Sequence, residues 1–310
     1  MQGKTDFMSQ DWTEKKERGS AGSLRFMAKL AALLGRRATR LLLYPIAFYF
    51  FLVVADARRT SADYLARVLG RKARWHEVFH HFHVFAGVLL DRVYFLQNRV
   101  EYFDIDVMHN AYDEETTETR AGGVFVMGAH MGSFEVVRLI SRAKAELKLV
   151  LLMYEENARK IGALMAAINP QAQQEIVALG NLNAMLTVRD RLAEGGIIGI
   201  LADRTLGHER NFPVTFLGET AYFAAGPFKM AAMMRKPVFL MMGLYRGGNR
   251  YEIHIEKIAD FSDDENGERR NSPQAIDAAI IKYVARLEYF ARLAPYNWFN
   301  FYDFWQGNAR

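Results

Sequence analysis

Gly122-Gly123-Val124-Phe125-Val126-Met127-Gly128-Ala129-His130-Met131-Gly132-Ser133-Phe134-Glu135 is the stretch that decides the fold. Its apolar run, Val124 to Met127, is bounded by glycines, as a buried strand would be. His130 and a small-residue break follow, and Phe134 to Ile140 reads as the opening of a helix. That order puts His130 at the carboxyl end of a strand, where open α/β sheets hold their ligands. At about 100° per residue, five helical steps carry Glu135 about 140° around the axis from His130. The two side chains can therefore meet only with His130 in the turn and Glu135 in the first turn of the helix. There a carboxylate would orient one ring nitrogen and leave the other to take a proton from a hydroxyl. Backbone N–H groups from Met131 to Phe134 would point at the same spot and could hold an oxyanion. Spacing alone is a weak signal. His109 and Glu114 share it inside a polar run, with no strand or glycine before them.

Outward from this stretch, strands alternate with helices. Leu147 to Tyr154 reads as a second buried strand, and Ile176 to Leu179 as a third. Asn157 to Ile168 and Leu182 to Ala193 read as helices. After the break at Gly195-Gly196, Ile197 to Ala202 delivers Asp203-Arg204 at a strand's carboxyl end. Alternation of this kind implies βαβ units and a mostly parallel central sheet flanked by helices, an α/β fold. Asp203 and Arg204 are then expected on the same edge as His130. Local sequence fits an anion site, which suits the planar guanidinium, or a surface ion pair. Phe216 to Ala221 and Ala225-Gly226-Pro227 read as a glycine-punctuated loop before an apolar helix. Pro237 to Leu244 is another buried strand, and Tyr251 to Glu256 alternates as a strand with one wet face. Ser272-Pro273 starts a helix running to about Leu293. The aromatic end, Asn297 to Trp305, serves as a core plug or an apolar binding wall, with the plug favoured.

The totals exclude several classes. With no cysteine among the 310 residues, disulfides and thiolate metal sites are ruled out. Net charge is uneven: residues 1–72 hold 14 Lys and Arg against 6 Asp and Glu, while the remainder holds 26 against 29. The basic excess thus belongs to the N-terminal region. It flanks an apolar run instead of interleaving with stacking aromatics, which argues against nucleic-acid binding.

Residues 1–22 are polar and read as a flexible tail. Residues 23–60 read as a membrane-associating hydrophobic helical segment. Within it, Leu41 to Ala55 is an apolar run of 15 residues containing Pro45 and five aromatics, bracketed by arginines. A spanning helix needs about 20 apolar residues, so this run falls short. It fits a segment lying in an anionic membrane surface, and the same run would also serve as an internal helix. Residues 61–305 form a single α/β domain, opening with a helical stretch over 61–98. His76, His80 and His83 share a helix face there, but no carboxylate completes a metal set, and Glu77 is expected to pair with His81. Neither a metal nor a cofactor is expected.

Together these segments resemble the lysophospholipid acyltransferase superfamily, and within it the late acyltransferases of lipid A biosynthesis. His130-Met131-Gly132-Ser133-Phe134-Glu135 is similar to the first of four ordered blocks, the His-x4-Asp/Glu signature in its Glu form. Gly196 to Arg204 resembles the second block. Phe216-Leu217-Gly218-Glu219 with Gly226-Pro227 stands where the third lies, and Lys236-Pro237-Val238 where the fourth lies. The resemblance implies acyl transfer from a thioester, acyl carrier protein in this branch, to a hydroxyl of a lipid or glycolipid at the cytoplasmic face of the bacterial inner membrane. It makes His130 the general base and Glu135 its partner, and has Arg204 bind a phosphate or other anion. Substrate contacts would extend to Asp203, Gly132, Ser133, Phe216, Gly218, Gly226 and Pro227. The third block lacks the Phe-Pro-Glu-Gly-Thr-Arg form of glycerolipid enzymes, which counts against a plain glycerol-phosphate acceptor. Pro295 to Trp305 resembles a variant branch associated with aryl-polyene pigment pathways. A non-catalytic lipid-binding protein of the same fold, or a thioester hydrolase, would carry much of the same sequence.

Overall fold

The computed structural model describes residues 21–108, 122–136, 138, 148–155, 158, 159, 162, 175–180, 182–204, 211–263 and 270–305, with side chains from residue 34 onward. The expected tail, apart from its last two residues, and most of the helix expected over Asn157 to Ile168 lie outside these residues.

The described residues open with α1 (Ala21–Val53), kinked at Gly35, which turns by 97° into α2 (Ala55–Leu69). Gly70 ends α2 in the left-handed conformation, so the expected single helical stretch is two helices, with α3 (Trp75–Leu96) starting after Arg74. Glu77 explains that start. Its carboxylate accepts the Arg74 backbone N–H and pairs with Arg71, not with His81. Next come β1 (Asp104–Met108), β2 (Val124–Gly128), β3 (Leu149–Tyr154), β4 (Glu175–Leu179), α4 (Leu182–Ala193) and β5 (Ile197–Leu201). A hairpin of β6 (Asn211–Phe216) and β7 (Glu219–Ala224) leads into α5 (Gly226–Met233). The chain closes with β8 (Pro237–Tyr245), β9 (Arg250–Asp260) and α6 (Pro273–Leu293).

Seven strands form one sheet in the order β1-β9-β8-β2-β5-β3-β4. Ladders from β8 through β2, β5 and β3 to β4 are parallel; β9 runs antiparallel to β8, and β1 parallels β9. This is the mostly parallel α/β sheet expected, with helices covering it. Every residue of β2 and of β8 is buried, because a central strand with both faces covered has no wet side.

The N-terminal helix is fixed to this body by a buried ionic knot. Asp91 of α3, fully buried, accepts Arg36 Nε at 2.8 Å and Nη2 at 2.9 Å, and the Tyr251 hydroxyl at 2.9 Å. Arg40 reaches the same carboxylate at 3.3 Å. Beyond the knot, α1 exposes Leu41, Tyr49, Leu52 and Val53, each more than half uncovered. No single described helix is long and apolar enough to cross a membrane.

Candidate active site

Parallel register builds the site. Gly128 of β2 pairs with Leu201 of β5, so two further residues along each strand bring His130 beside Asp203. Asp203 Oδ1 lies 2.8 Å from His130 Nδ1, and its Oδ2 accepts the His130 backbone N–H at 3.0 Å. Two more donors reach Oδ2: Trp298 Nε1 at 3.0 Å and Asn300 Nδ2 at 3.1 Å. Burial alone would push this carboxyl up. The opposing charge and hydrogen bond of His130, with Arg204 and Trp298, outweigh it and hold Asp203 well below the usual carboxylate range. An ionised carboxylate only accepts, so the imidazole proton sits on Nδ1 and Nε2 becomes the basic nitrogen. The His130 side chain is 32% exposed while Asp203 is fully buried, an arrangement that leaves the imidazole accessible and hides its partner.

The turn after His130 is locked on both sides. Gly132 N–H donates to the Asn297 carbonyl at 2.9 Å, and Phe299 N–H donates to the His130 carbonyl at 2.8 Å, so Met131 and Trp298 face each other in an antiparallel bridge. Ser133 N–H donates to the Gly243 carbonyl at 2.8 Å. Gly132 has φ +60°, and a Cβ there would overlap the Gly243 carbonyl oxygen; a Cβ on Gly243 would in turn meet the Ser133 carbonyl. Only two glycines allow the turn to nest this closely over β8. The Gly132 and Ser133 N–H groups expected to cradle an oxyanion are therefore spent on the scaffold. The Ser133 hydroxyl is buried with no hydrogen-bond partner among the described residues.

Glu135 is placed differently from expectation. It lies in the first helical turn, as read from the sequence, but its Oε1 is 2.6 Å from Arg92 Nε on α3. The acid that holds His130 is Asp203, because the neighbouring strand delivers a carboxylate directly while the helix turns Glu135 toward α3.

Arg204 stands at the same edge. Its Nε donates to Asn300 Oδ1 at 2.7 Å, its Nη2 to the Phe299 carbonyl at 3.2 Å, and its guanidinium sits 5.5 Å from the Tyr302 ring centre. Phe216 is fully buried and packs against Trp298, 5.2 Å away ring to ring. The segment expected as a loop is the β6–β7 hairpin, whose two-residue turn sets Leu217 at φ 52° and Gly218 at φ 88°. Gly226 and Pro227 form the first turn of α5, Pro227 buried. Among the described residues no three His, Asp or Glu side chains gather as a metal site.

Four contributors escaped the sequence reading. Asn297, Trp298 and Asn300 make the aromatic end both plug and brace, since their polar atoms hold the turn and the carboxylate. Gly243 is the fourth. The available signal was two asparagines inside a mainly aromatic run, where each polar side chain must find a partner once buried.

A sheet edge that presents an imidazole backed by a buried carboxylate has the groups that a proton transfer would need. The profile of the bacterial lipid A biosynthesis acyltransferases matches residues 24–306, from α1 to the aromatic end. The chain belongs to that family, a family of acyltransferases acting in lipid biosynthesis. No curated protein matches the chain.

Proposed function

We propose that this protein moves a fatty acyl group from a thioester, carried by acyl carrier protein, to a hydroxyl of a lipid or glycolipid at the cytoplasmic face of the bacterial inner membrane. The observation that carries the reading is the His130–Asp203 pair at 2.8 Å, half-open at the joint edge of β2 and β5. Nε2 of His130 takes the hydroxyl proton as the acceptor oxygen attacks the thioester carbonyl. The tetrahedral intermediate then collapses, the C–S bond breaks, and the leaving sulfur recovers the proton from the imidazolium. An ester and a free thiol result. Asp203 holds the ring in the required tautomer and stabilises the transient positive charge. Arg204 supplies a cation at the same edge for an anionic group of one substrate. Glu135, tied to Arg92, secures the helix behind the base. A thioester is already activated, so the chemistry asks for a base and proximity and for no cofactor.

Membrane docking is assigned to the exposed face of α1, where Leu41, Tyr49, Leu52 and Val53 offer apolar side chains beside Arg58 and Arg59. The protein in detergent or vesicles, given acyl carrier protein loaded with a fatty acyl chain and a bacterial lipid extract, should yield an acylated lipid detectable by mass spectrometry. His130→Ala should cut the rate by about 10²–10⁴-fold while folding and vesicle binding persist. Release of free fatty acid alone, or full transfer by the variant, would overturn the reading.

A further inference from the structure

His81 is fully buried on α3, away from the reacting edge, and burial holds its pKa down to about 3, so the ring is neutral. A neutral imidazole offers one donor and one acceptor at opposite ends. Nε2 lies 3.0 Å from the Trp298 carbonyl, which only accepts, so the proton sits on Nε2. Nδ1, 2.8 Å from Ser61 Oγ, then accepts the serine hydroxyl. Trp298 continues the line by giving its indole N–H to Asp203, and Asp203 accepts from His130 Nδ1. Tyr64 and Phe301 wall the His81 ring at 5.6 and 4.8 Å, so it has little freedom to move.

We infer that His81 is a positioning residue for His130, acting through Trp298 and Asp203 and tying the base to Ser61 on α2. The line is a strut and not a proton wire, because it passes from the Trp298 carbonyl to the indole of the same residue, where no proton can cross. Its effect is on the Trp298 backbone, which aims the indole N–H at Asp203. A slackened indole bond leaves more negative charge on the carboxylate and stabilises the imidazolium, so His130 becomes more basic. Among the described residues, the other titratable and charged groups around the carboxylate are Arg204, Tyr283 and Tyr302, and those beside His81 are His80 and Tyr64. The inference rests on His130 as the base, and its test does not need turnover.

Histidine-labelled full-length protein in nanodiscs would be titrated by nitrogen NMR, with His130→Ala assigning the signal. Trp298→Phe should raise the His130 pKa. His81→Leu should shift it in the same direction, and the double variant should add nothing to the larger single shift. His81→Gln, which keeps a donor near Nε2, should restore most of the wild-type titration. In turnover, His81→Leu should lower kcat by roughly tenfold with KM unchanged and move the acid limb to higher pH. A folded His81→Leu protein with an unaltered His130 titration, or a shift that simply adds to that of Trp298→Phe, would overturn the inference. Should His81→Leu fail to fold, Ser61→Ala decides: a smaller shift of the same sign supports the strut, and no shift sinks it. Shifts seen in a protein that transfers no acyl group would leave the strut standing and defeat the acyltransfer reading.

Discussion

Glu135 and Arg92 form an ion pair at 2.6 Å that fastens the helix after His130 to α3, while the carboxylate touching the imidazole is Asp203. This division predicts unequal costs for two charge-neutral substitutions. Asp203→Asn offers an amide that can hold the wrong ring tautomer, and kcat should fall by about 10³–10⁴-fold with little change in KM. Glu135→Gln keeps the shape and breaks only the pair with Arg92. Its turnover should drop about tenfold or less, accompanied by a stability loss of about 1 kcal/mol in thermal unfolding. Equal kinetic losses would return the orienting role to Glu135.

Gly132→Ala and Gly243→Ala should each displace the turn carrying His130. At Gly132 the added methyl meets the Gly243 carbonyl and also forces a left-handed backbone on an L side chain. Backbone against backbone has no soft rotamer to yield, so a cost of about 2–4 kcal/mol is expected. Thermal unfolding and transfer assays should fall together at these sites. A Gly218→Ala control meets open space and bears only its strained φ of 88°, so it should lose less than either.

Much of this arrangement is legible in the chain, and the gaps have a common cause. Glycines around Val124 to Met127 and before Ile197 mark β2 and β5 without ambiguity, and alternation with helices gives their parallel sense. What a single chain does not display is adjacency. Only the pairing of Gly128 with Leu201 makes Asp203 the neighbour of His130, whereas Glu135 is close in sequence and turned away in space. Long-range partners explain the other misses too. Gly243 matters because Gly132 lies across from it, and His81 because Trp298 ends above it. The β6–β7 hairpin hid because leucine occupies the first turn position, where Asn or Asp would have announced a two-residue turn.

Asp91 should prove the most sensitive position for the attachment of α1. Asp91→Ala leaves the Arg36 guanidinium, itself 9% exposed, without its buried carboxylate, a loss of about 3–5 kcal/mol. Asp91→Asn removes the charge but keeps an acceptor for Arg36 and Tyr251, and should cost less. Limited proteolysis within residues 34–53 should accelerate in both variants, more in Asp91→Ala. Unchanged cleavage there would mean that the apolar packing of α1 on α3 holds without the ionic knot.

Acid should destabilise the fold in a window set by His81. Its folded pKa, about 3, lies below the ordinary histidine value of about 6.5, so between those values the unfolded chain binds a proton that the native one refuses. Stability therefore rises with pH across that window, by up to about 1.4 kcal/mol per unit from this group, and levels off above it. His80, His83 and His254, also held down by burial, add to the same slope. Asp203 works lower down: its depressed carboxyl contributes stability that is intact above about 4, the unfolded aspartate value, and is lost as pH falls further. Denaturant unfolding between pH 4 and 8 should show the upper slope directly. His81→Gln, with no titrating ring, should flatten it by about one proton's share while leaving the loss below pH 4 in place. A slope indifferent to that substitution would mean that the buried imidazole is not the group refusing the proton.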